Sequence, residues 1–346
     1  MSAFIAQVKP NDKRALAQID ALLRQEGIER DANLDYIAAM YDDDYRVIAT
    51  GSCFGNTLRC FAVDHGHQGE GLLNEIITHL MDMQCSRGHT HLFLYTKPGT
   101  AKFFGDLGFY EIARVPDRLV FMENRRDGFS SYLNGLAKTK RDGTSAAVIM
   151  NANPFTLGHQ YLAEQAAAAC DTLHLFVVSE DASLVPAAMR KRLVQEGTAH
   201  LSNVVLHDCG PYIISSATFP SYFLKDRETV IESQARLDLT VFSRIAQTLG
   251  ISVRFVGEEP ASQVTGIYNR VMQEALPGFG VRCVVLPRRE AGGKPISAST
   301  VRLCLQNGDL EALRALVPAS TLAYFESDEA APVLQRIRSA KDVVHY

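Results

Sequence analysis

Along residues 146–286, short apolar runs alternate with longer stretches of helical spacing. Segments 146–150, 172–178, 203–207, 253–256 and 281–286 are strand-length and mostly apolar. Between them, 157–169, 187–200, 229–249 and 263–276 place apolar residues three and four apart. Strands that are apolar on both faces, each followed by a helix, predict a parallel sheet of five strands with right-handed crossovers, a Rossmann-like α/β fold. Such sheets bind ligands beyond the carboxyl ends of their strands, so the chemistry is sought in the loops that follow them.

The first third of the chain alternates differently. Strand-like runs at 46–51, 57–63, 91–96 and 119–122 are interleaved with helical patterns at 13–26, 72–87 and 101–107, which predicts a separate mixed α/β domain. Between the two patterns, residues 123–145 are rich in Gly, Ser, Lys, Arg and Asp and lack a sustained apolar period. The division expected is a domain at 1–125, a linker at 126–144 and a second domain at 145–346.

Composition narrows the function classes. The chain has 346 residues and a formal net charge of -4, so it carries no basic footprint of a nucleic-acid binder. Its apolar runs fall far short of the ~20 residues that span a bilayer. The beginning of the chain lacks the apolar segment of a secretory signal, and a cytoplasmic protein is expected. Seven scattered cysteines without a C-x-x-C pair read as reduced thiols, packed mostly as small core residues. The H-x-H pairs of His65, His67, His89 and His91 lack a completing ligand, and no metal site is expected.

The loop after the first strand of the second domain runs Asn151-Ala152-Asn153-Pro154-Phe155 into Thr156-Leu157-Gly158-His159. This resembles the T/H-x-G-H signature of the nucleotidyltransferase superfamily, with Thr156 where many relatives have His. A glycine in a first helical turn lets a phosphate approach the N–H donors and the positive end of the helix dipole. His159 can then donate to an α-phosphate oxygen as charge builds there. After the last strand, Ile296-Ser297-Ala298-Ser299-Thr300-Val301-Arg302 resembles the I-S-S-T-x-x-R segment of the same superfamily. A serine-rich helix start with an arginine one turn on offers amide, hydroxyl and guanidinium donors to β- and γ-phosphates. Asn151, Asn153, Phe155, Gly158, Ser297, Ser299, Thr300 and Arg302 are therefore the expected ATP contacts, and Thr156, His159 and Lys294 the catalytic group. Arg288 and Arg289, just beyond the last strand, either clamp phosphates or line a solvated edge.

In the first domain, Gln68-Gly69-Glu70-Gly71 opens a helix and resembles the pyrophosphate loop of GNAT-type N-acetyltransferases, with Leu73 replacing the last small residue. Residues 101–110 resemble a second GNAT segment, in which Phe104 stands where active relatives often use a Tyr acid. Gln68, Gly69 and Gly71 are thus expected to hold a CoA-like arm in a domain that binds rather than catalyses.

Residues 150–155, 203–207, 212–220 and 256–260 carry the likeness further, to the citrate lyase ligase family, over essentially the whole chain. That resemblance implies activation of acetate by ATP with Mg²⁺, and transfer of the acetyl group to the phosphoribosyl-dephospho-CoA arm of the citrate lyase acyl carrier subunit. The T-x-G-H motif alone also admits an adenylyltransferase acting on a phosphate acceptor. The glycine loop alone admits an acetyltransferase with an appended nucleotide-binding domain.

Overall fold

A computed structural model describes residues 3–179, 183–213, 219, 227–258 and 263–343. The chain divides into two compact units, Met1–Gly128 with Pro220–Ser233, and Phe129–Phe219 with Gln234–Tyr346. Among the described residues, no helix is long and apolar enough to cross a membrane.

The first unit is built on one seven-stranded sheet, in the order β1-β2-β3-β4-β5-β7-β6. Its strands are β1 (Phe4–Gln7), β2 (Tyr36–Tyr41), β3 (Val47–Phe54), β4 (Thr57–Val63), β5 (Phe93–Thr96), β6 (Tyr110–Val115) and β7 (Leu119–Glu123). Helices α1 (Lys13–Gln25) and α2 (Leu72–Ser86) supply apolar faces to two separate clusters, one around Ile19 and Leu23, the other around Ile76 and Leu80. A short helix, α3 (Ala101–Asp106), adds Phe104 to the second cluster. Gly51 is obligatory here because a Cβ would meet the Ile76 side chain at 2.6 Å. All neighbouring strands run antiparallel except β4 and β5, which pair in parallel only at Thr57–Phe93 and Leu58–Leu94. Beyond those two pairs no ladder joins β4 to β5 among the described residues, and β4 continues, paired with β3 as far as Val63, to the glycine loop.

The second unit opens with α4 (Gly128–Ala137), a helix lying inside the stretch that reads as a junction in the sequence. The alternation follows: β8 (Ser145–Met150), α5 (Leu157–Ala168), β9 (Thr172–Val177), α6 (Ala187–Gly197), β10 (Val204–Asp208), α7 (Arg227–Leu249, which belongs to this unit from Gln234 onward), β11 (Ile251–Gly257), α8 (Gln263–Ala275) and β12 (Arg282–Leu286). The five strands form one sheet in the order β10-β9-β8-β11-β12, with every pairing parallel, as the apolar runs predict. The hairpin of β13 (Glu290–Ala291) and β14 (Lys294–Pro295) and the helices α9 (Ala298–Asn307), α10 (Leu310–Arg314), α11 (Ala319–Glu326) and α12 (Ala331–Ser339) complete the unit. Ala146, Val148 and Met150 of β8 and Leu173, Leu175 and Val177 of β9 share a core cluster with residues of α5, α6, α9, α11 and α12. The opposite face of β9 carries His174 and Phe176, both fully buried. All seven cysteines are free, and burial pushes the Cys53 and Cys60 thiols up to about 12, so they remain protonated. Of the family-like blocks, residues 214–218, 220 and 259–260 lie outside the described residues.

Candidate functional site

The centre of β8 is the natural place for a site, because the sheet's chain order reverses on either side of it. From Met150 the chain enters the loop 151–156, in which Ala152 takes φ 51 and the Asn153–Pro154 peptide is cis. A non-glycine residue in the left-handed region is costly and persists only where its surroundings hold it. Here they do. Asn151 and Asn153, on either side of Ala152, both have their main-chain carbonyls bound by buried arginines. Arg190 Nη1 donates to the Asn151 carbonyl at 2.8 Å, and Arg302 Nη1 donates to the Asn153 carbonyl. The Asn153 side chain accepts the Val185 N–H at 3.0 Å.

Thr156 caps α5, its hydroxyl accepting the His159 N–H at 3.2 Å. The return half of this capping box comes from histidine instead of the usual glutamate: Thr156 donates its own N–H to His159 Nδ1 at 3.1 Å, and the Thr156 hydroxyl lies 2.9 Å from the same nitrogen. A ring nitrogen that accepts a main-chain N–H is unprotonated, so the imidazole carries its hydrogen on Nε2. Burial, then the charges of Arg288 and Arg302, push the His159 pKa down to about 4. The ring is therefore a neutral, pre-oriented Nε2–H donor throughout the physiological range.

The second motif meets the first at Gly158. A Cβ on Gly158 would stand 3.1 Å from the Ile296 carbonyl, so the missing side chain is what lets the Ile296–Ser297 turn close onto the start of α5. Ser297 caps α9, accepting the Thr300 N–H at 3.1 Å, and its hydroxyl lies 2.8 Å from those of Ser299 and Thr300. Two helix N-termini with a cluster of hydroxyls between them suit a polyphosphate. In the first turn of α5, Leu157 donates its N–H to the Leu316 carbonyl at 2.9 Å, so this amide is lost to a ligand and Gly158 is the donor that remains.

Three residues expected at the nucleotide are set in different surroundings. Phe155 is fully buried, its ring filling the space left by Gly197, where a Cβ would come within 2.3 Å, and stacking 5.9 Å from the His159 ring. An apolar side chain next to a strand end is drawn into the core, and Phe155 backs the histidine. Arg302 is buried, its Nε donating to the Val343 carbonyl and its Nη1 to that of Asn153, and its pKa is pushed down to about 10 by burial. Those donors hold the loop in place and are not turned to a phosphate. Lys294 is exposed on the β13–β14 hairpin, and the cations whose charge reaches His159 are Arg288 and Arg302. Arg288, left undecided by the sequence, is held by its Nε on the Glu258 carbonyl at 2.6 Å, at the carboxyl end of β11. Its position just after the last strand was the available signal.

In the first unit the glycine loop follows β4. Gly69 and Gly71 take φ 87 and 82, and Gly71 caps α2. A Cβ at either position would meet nothing within 4 Å. The space beside the N-terminus of α2 is open, as a pyrophosphate cradle requires. Gln68 Nε2 lies 3.2 Å from His65 Nδ1, and His67 Nδ1 3.2 Å from a Glu70 carboxylate oxygen. Phe104 is buried, its ring 5.6 Å from that of Phe61.

Comparison with known proteins gives the family. Residues 145–325 match the family described as citrate lyase ligase C-terminal domain. A citrate (pro-3S)-lyase ligase of Klebsiella pneumoniae is 41% identical over 319 residues, covering 90% of this chain and 93% of that protein. Its namesake from Haemophilus influenzae is 39% identical over 91% of this chain and 96% of its own length, and that from Escherichia coli 37% identical over 94% of each. Among solved structures, a GNAT-family acetyltransferase from Staphylococcus aureus is 12% identical with a TM-score of 0.31, covering 36% of this chain and 100% of its own. An acyl-CoA N-acyltransferase from Pseudomonas aeruginosa gives the same values.

Proposed function

The chain belongs to the citrate lyase ligase family, and on that premise we propose that it is an ATP-dependent acid–thiol ligase that activates citrate lyase in the cytoplasm. In the first half-reaction an acetate oxygen attacks the α-phosphorus of ATP, the bond to the β-phosphate oxygen breaks, and pyrophosphate leaves. In the second, the thiol of the phosphoribosyl-dephospho-CoA arm on the lyase's acyl carrier subunit attacks the acetyl carbonyl of the adenylate, and AMP leaves. Acetate is ionised at neutral pH, so the chemistry needs positioned donors more than a general base.

One observation carries this reading. Gly158 brings the starts of α5 and α9 together beside a histidine whose Nδ1 is engaged by Thr156, leaving a neutral Nε2–H for the α-phosphate oxygens. The Gly158 N–H and the hydroxyls of Ser297, Ser299 and Thr300 serve the polyphosphate, with Arg288, whose charge reaches His159, as a countercharge. Asn151 and Asn153 shape the loop, and Arg302 keeps it in place. Mg²⁺ arrives with the polyphosphate as part of the substrate. Among the described residues no three His, Cys, Asp or Glu side chains are grouped to hold a resident metal. Gln68, Gly69 and Gly71 hold the pyrophosphate of the carrier's arm, and the buried Phe104 supplies no acid to a second reaction.

Acetate-dependent exchange of labelled pyrophosphate into ATP tests the first half, and acetylation of the carrier thiol the second. Exchange that proceeds without acetate but requires a phosphate acceptor would replace this reading with an adenylyltransferase. Acetyl transfer from acetyl-CoA to an amine, without ATP consumption, would replace it with an acetyltransferase.

A further inference from the structure

Arg190 lies on the first turn and a half of α6 and is completely buried. Its Nε donates to the Val185 carbonyl at 3.0 Å. Its Nη1 reaches three oxygens: the Asn151 carbonyl at 2.8 Å, Asn151 Oδ1 at 2.7 Å and the Val178 carbonyl at 2.7 Å. Val178 and Val185 bracket the connection that follows β9, while Asn151 begins the connection that follows β8. One guanidinium therefore ties together the two loops at the carboxyl ends of the sheet's adjacent central strands. A buried cation is expensive, and a fold seeking stability alone is served as well by an apolar side chain. What the guanidinium adds is geometry, a flat fork of donors that fixes several acceptors at once.

The bonds also fall next to a strained residue. Ala152, with φ 51, directly follows the residue that Arg190 holds by both main chain and side chain. From Ala152 the chain runs only a few residues to Thr156 and His159. We propose that Arg190 is a positioning residue of the adenylate-forming site: through Asn151 it sets the entry of the 151–156 loop, and hence the placement of His159 Nε2–H, without touching the nucleotide. The proposal rests on the reading of this loop as the ATP site.

The test uses full-length protein and three variants, Arg190→Lys, Asn151→Ala and the double variant, each followed by acetate-dependent pyrophosphate exchange. A loop misplaced by a fraction of an ångström loses rate more than affinity, and Arg190→Lys should lower kcat about 10- to 100-fold while the KM for ATP moves about threefold or less. If Arg190 acts through Asn151, the double variant should be no slower than the worse single one, because the second change removes a contact already lost. Arg190→Gln, which keeps a donor but no charge, should be slower than Arg190→Lys. Multiplying losses in the double variant, or an effect confined to KM, would overturn the assignment. So would full activity of Arg190→Lys. If neither Arg190→Lys nor Arg190→Gln folds, as judged by circular dichroism and thermal melting, Arg190 is a residue of the fold alone and the assignment falls. Absence of exchange in the unsubstituted protein would instead overturn the functional reading, and this assignment with it.

Discussion

His159 shows how one side chain is given a single job. Its Nδ1 is committed to Thr156, its pKa is down at about 4, and its ring rests on Phe155, so it donates from Nε2 and does not accept protons near neutrality. The expected result for His159→Ala is a loss of about 10²- to 10³-fold in kcat for pyrophosphate exchange, with a smaller change in the KM for ATP, because a preorganised donor matters most where charge develops. The reverse split would make it a residue of uniform binding. The same protonation state predicts that exchange shows no histidine titration between pH 6 and 8, since protonation of this ring waits until about pH 4; a rate falling with a midpoint near 6.5 would contradict it. The T-L-G-H and I-S-A-S-T-V-R segments were legible in the sequence because each is contiguous and its helix start is a local property. Arg190 was not, and Arg288 was left open, since their importance depends on which strands lie side by side. The burial of Phe155 and Arg302 was not legible for a related reason: a motif names a position, and only packing decides whether the side chain at that position is exposed or lies in the core.

At the level of elements, the five parallel strands were legible because each run is mostly apolar, and β8 and β9 at the centre are buried on both faces. In the first unit β1, β2 and β6 went unseen. β6, at a sheet edge, breaks the two-residue alternation, with Tyr110, Glu111 and Arg114 exposed and Ile112, Ala113 and Val115 buried, and β2 reads Y-I-A-A-M-Y, in which two alanines dilute the strand signal. Helix α4 went unseen because G-F-S-S-Y-L-N-G-L-A has weak helix propensity and buries only Phe129 and Leu136, with Arg244 over the Phe129 ring at 4.6 Å. Arg302 joins three elements, α9, the 151–156 loop and the segment after α12, through the carbonyls of Asn153 and Val343. Arg302→Ala should therefore lower stability by about 1.5–3 kcal/mol, the usual worth of hydrogen bonds from a charged donor, and raise the KM for ATP in step, with Lys restoring part of both. A raised KM with unchanged thermal melting would return Arg302 to the phosphates. Strands β9 and β10 carry a second prediction. His174 Nδ1 lies 2.9 Å from His207 Nε2, and burial pushes both rings down to about 4 from 6.5. The unfolded chain takes up protons near pH 6.5 while the folded one stays neutral until about 4, so folding stability is full above 6.5 and declines as pH falls through that window. The urea midpoint should drop between pH 7 and 5, and His207→Gln should flatten the drop; an unaltered slope would show that these rings do not govern it.

On the scale of the whole molecule, the proposed chemistry falls into two half-reactions and the chain into two compact units, each with a glycine-dependent helix start. The second unit's loop is tied down by Arg190, Arg302 and the Thr156–His159 box, whereas the loop at 68–71 has open space in front of both left-handed glycines. That difference fits a tightly defined adenylate site and a receptive cradle for a long, flexible arm. It also dictates the substitution that separates them. Gly71→Val would confound the experiment, because a branched residue at φ 82 strains the loop before any ligand arrives. Asparagine tolerates the left-handed region, so Gly71→Asn keeps the backbone and places a side chain in the open space where the arm's pyrophosphate would lie. Melting behaviour should be nearly unchanged and acetate-dependent pyrophosphate exchange retained. Transfer of acetyl to the carrier thiol should fall about tenfold or more, the effect of losing roughly 1.4 kcal/mol of binding to the arm. The loss should appear as a raised KM for the carrier, and saturating carrier should recover much of the rate. Equal loss of both half-reactions in a folded variant, or transfer at the unsubstituted rate, would remove the arm from this loop and leave the first unit without its proposed ligand.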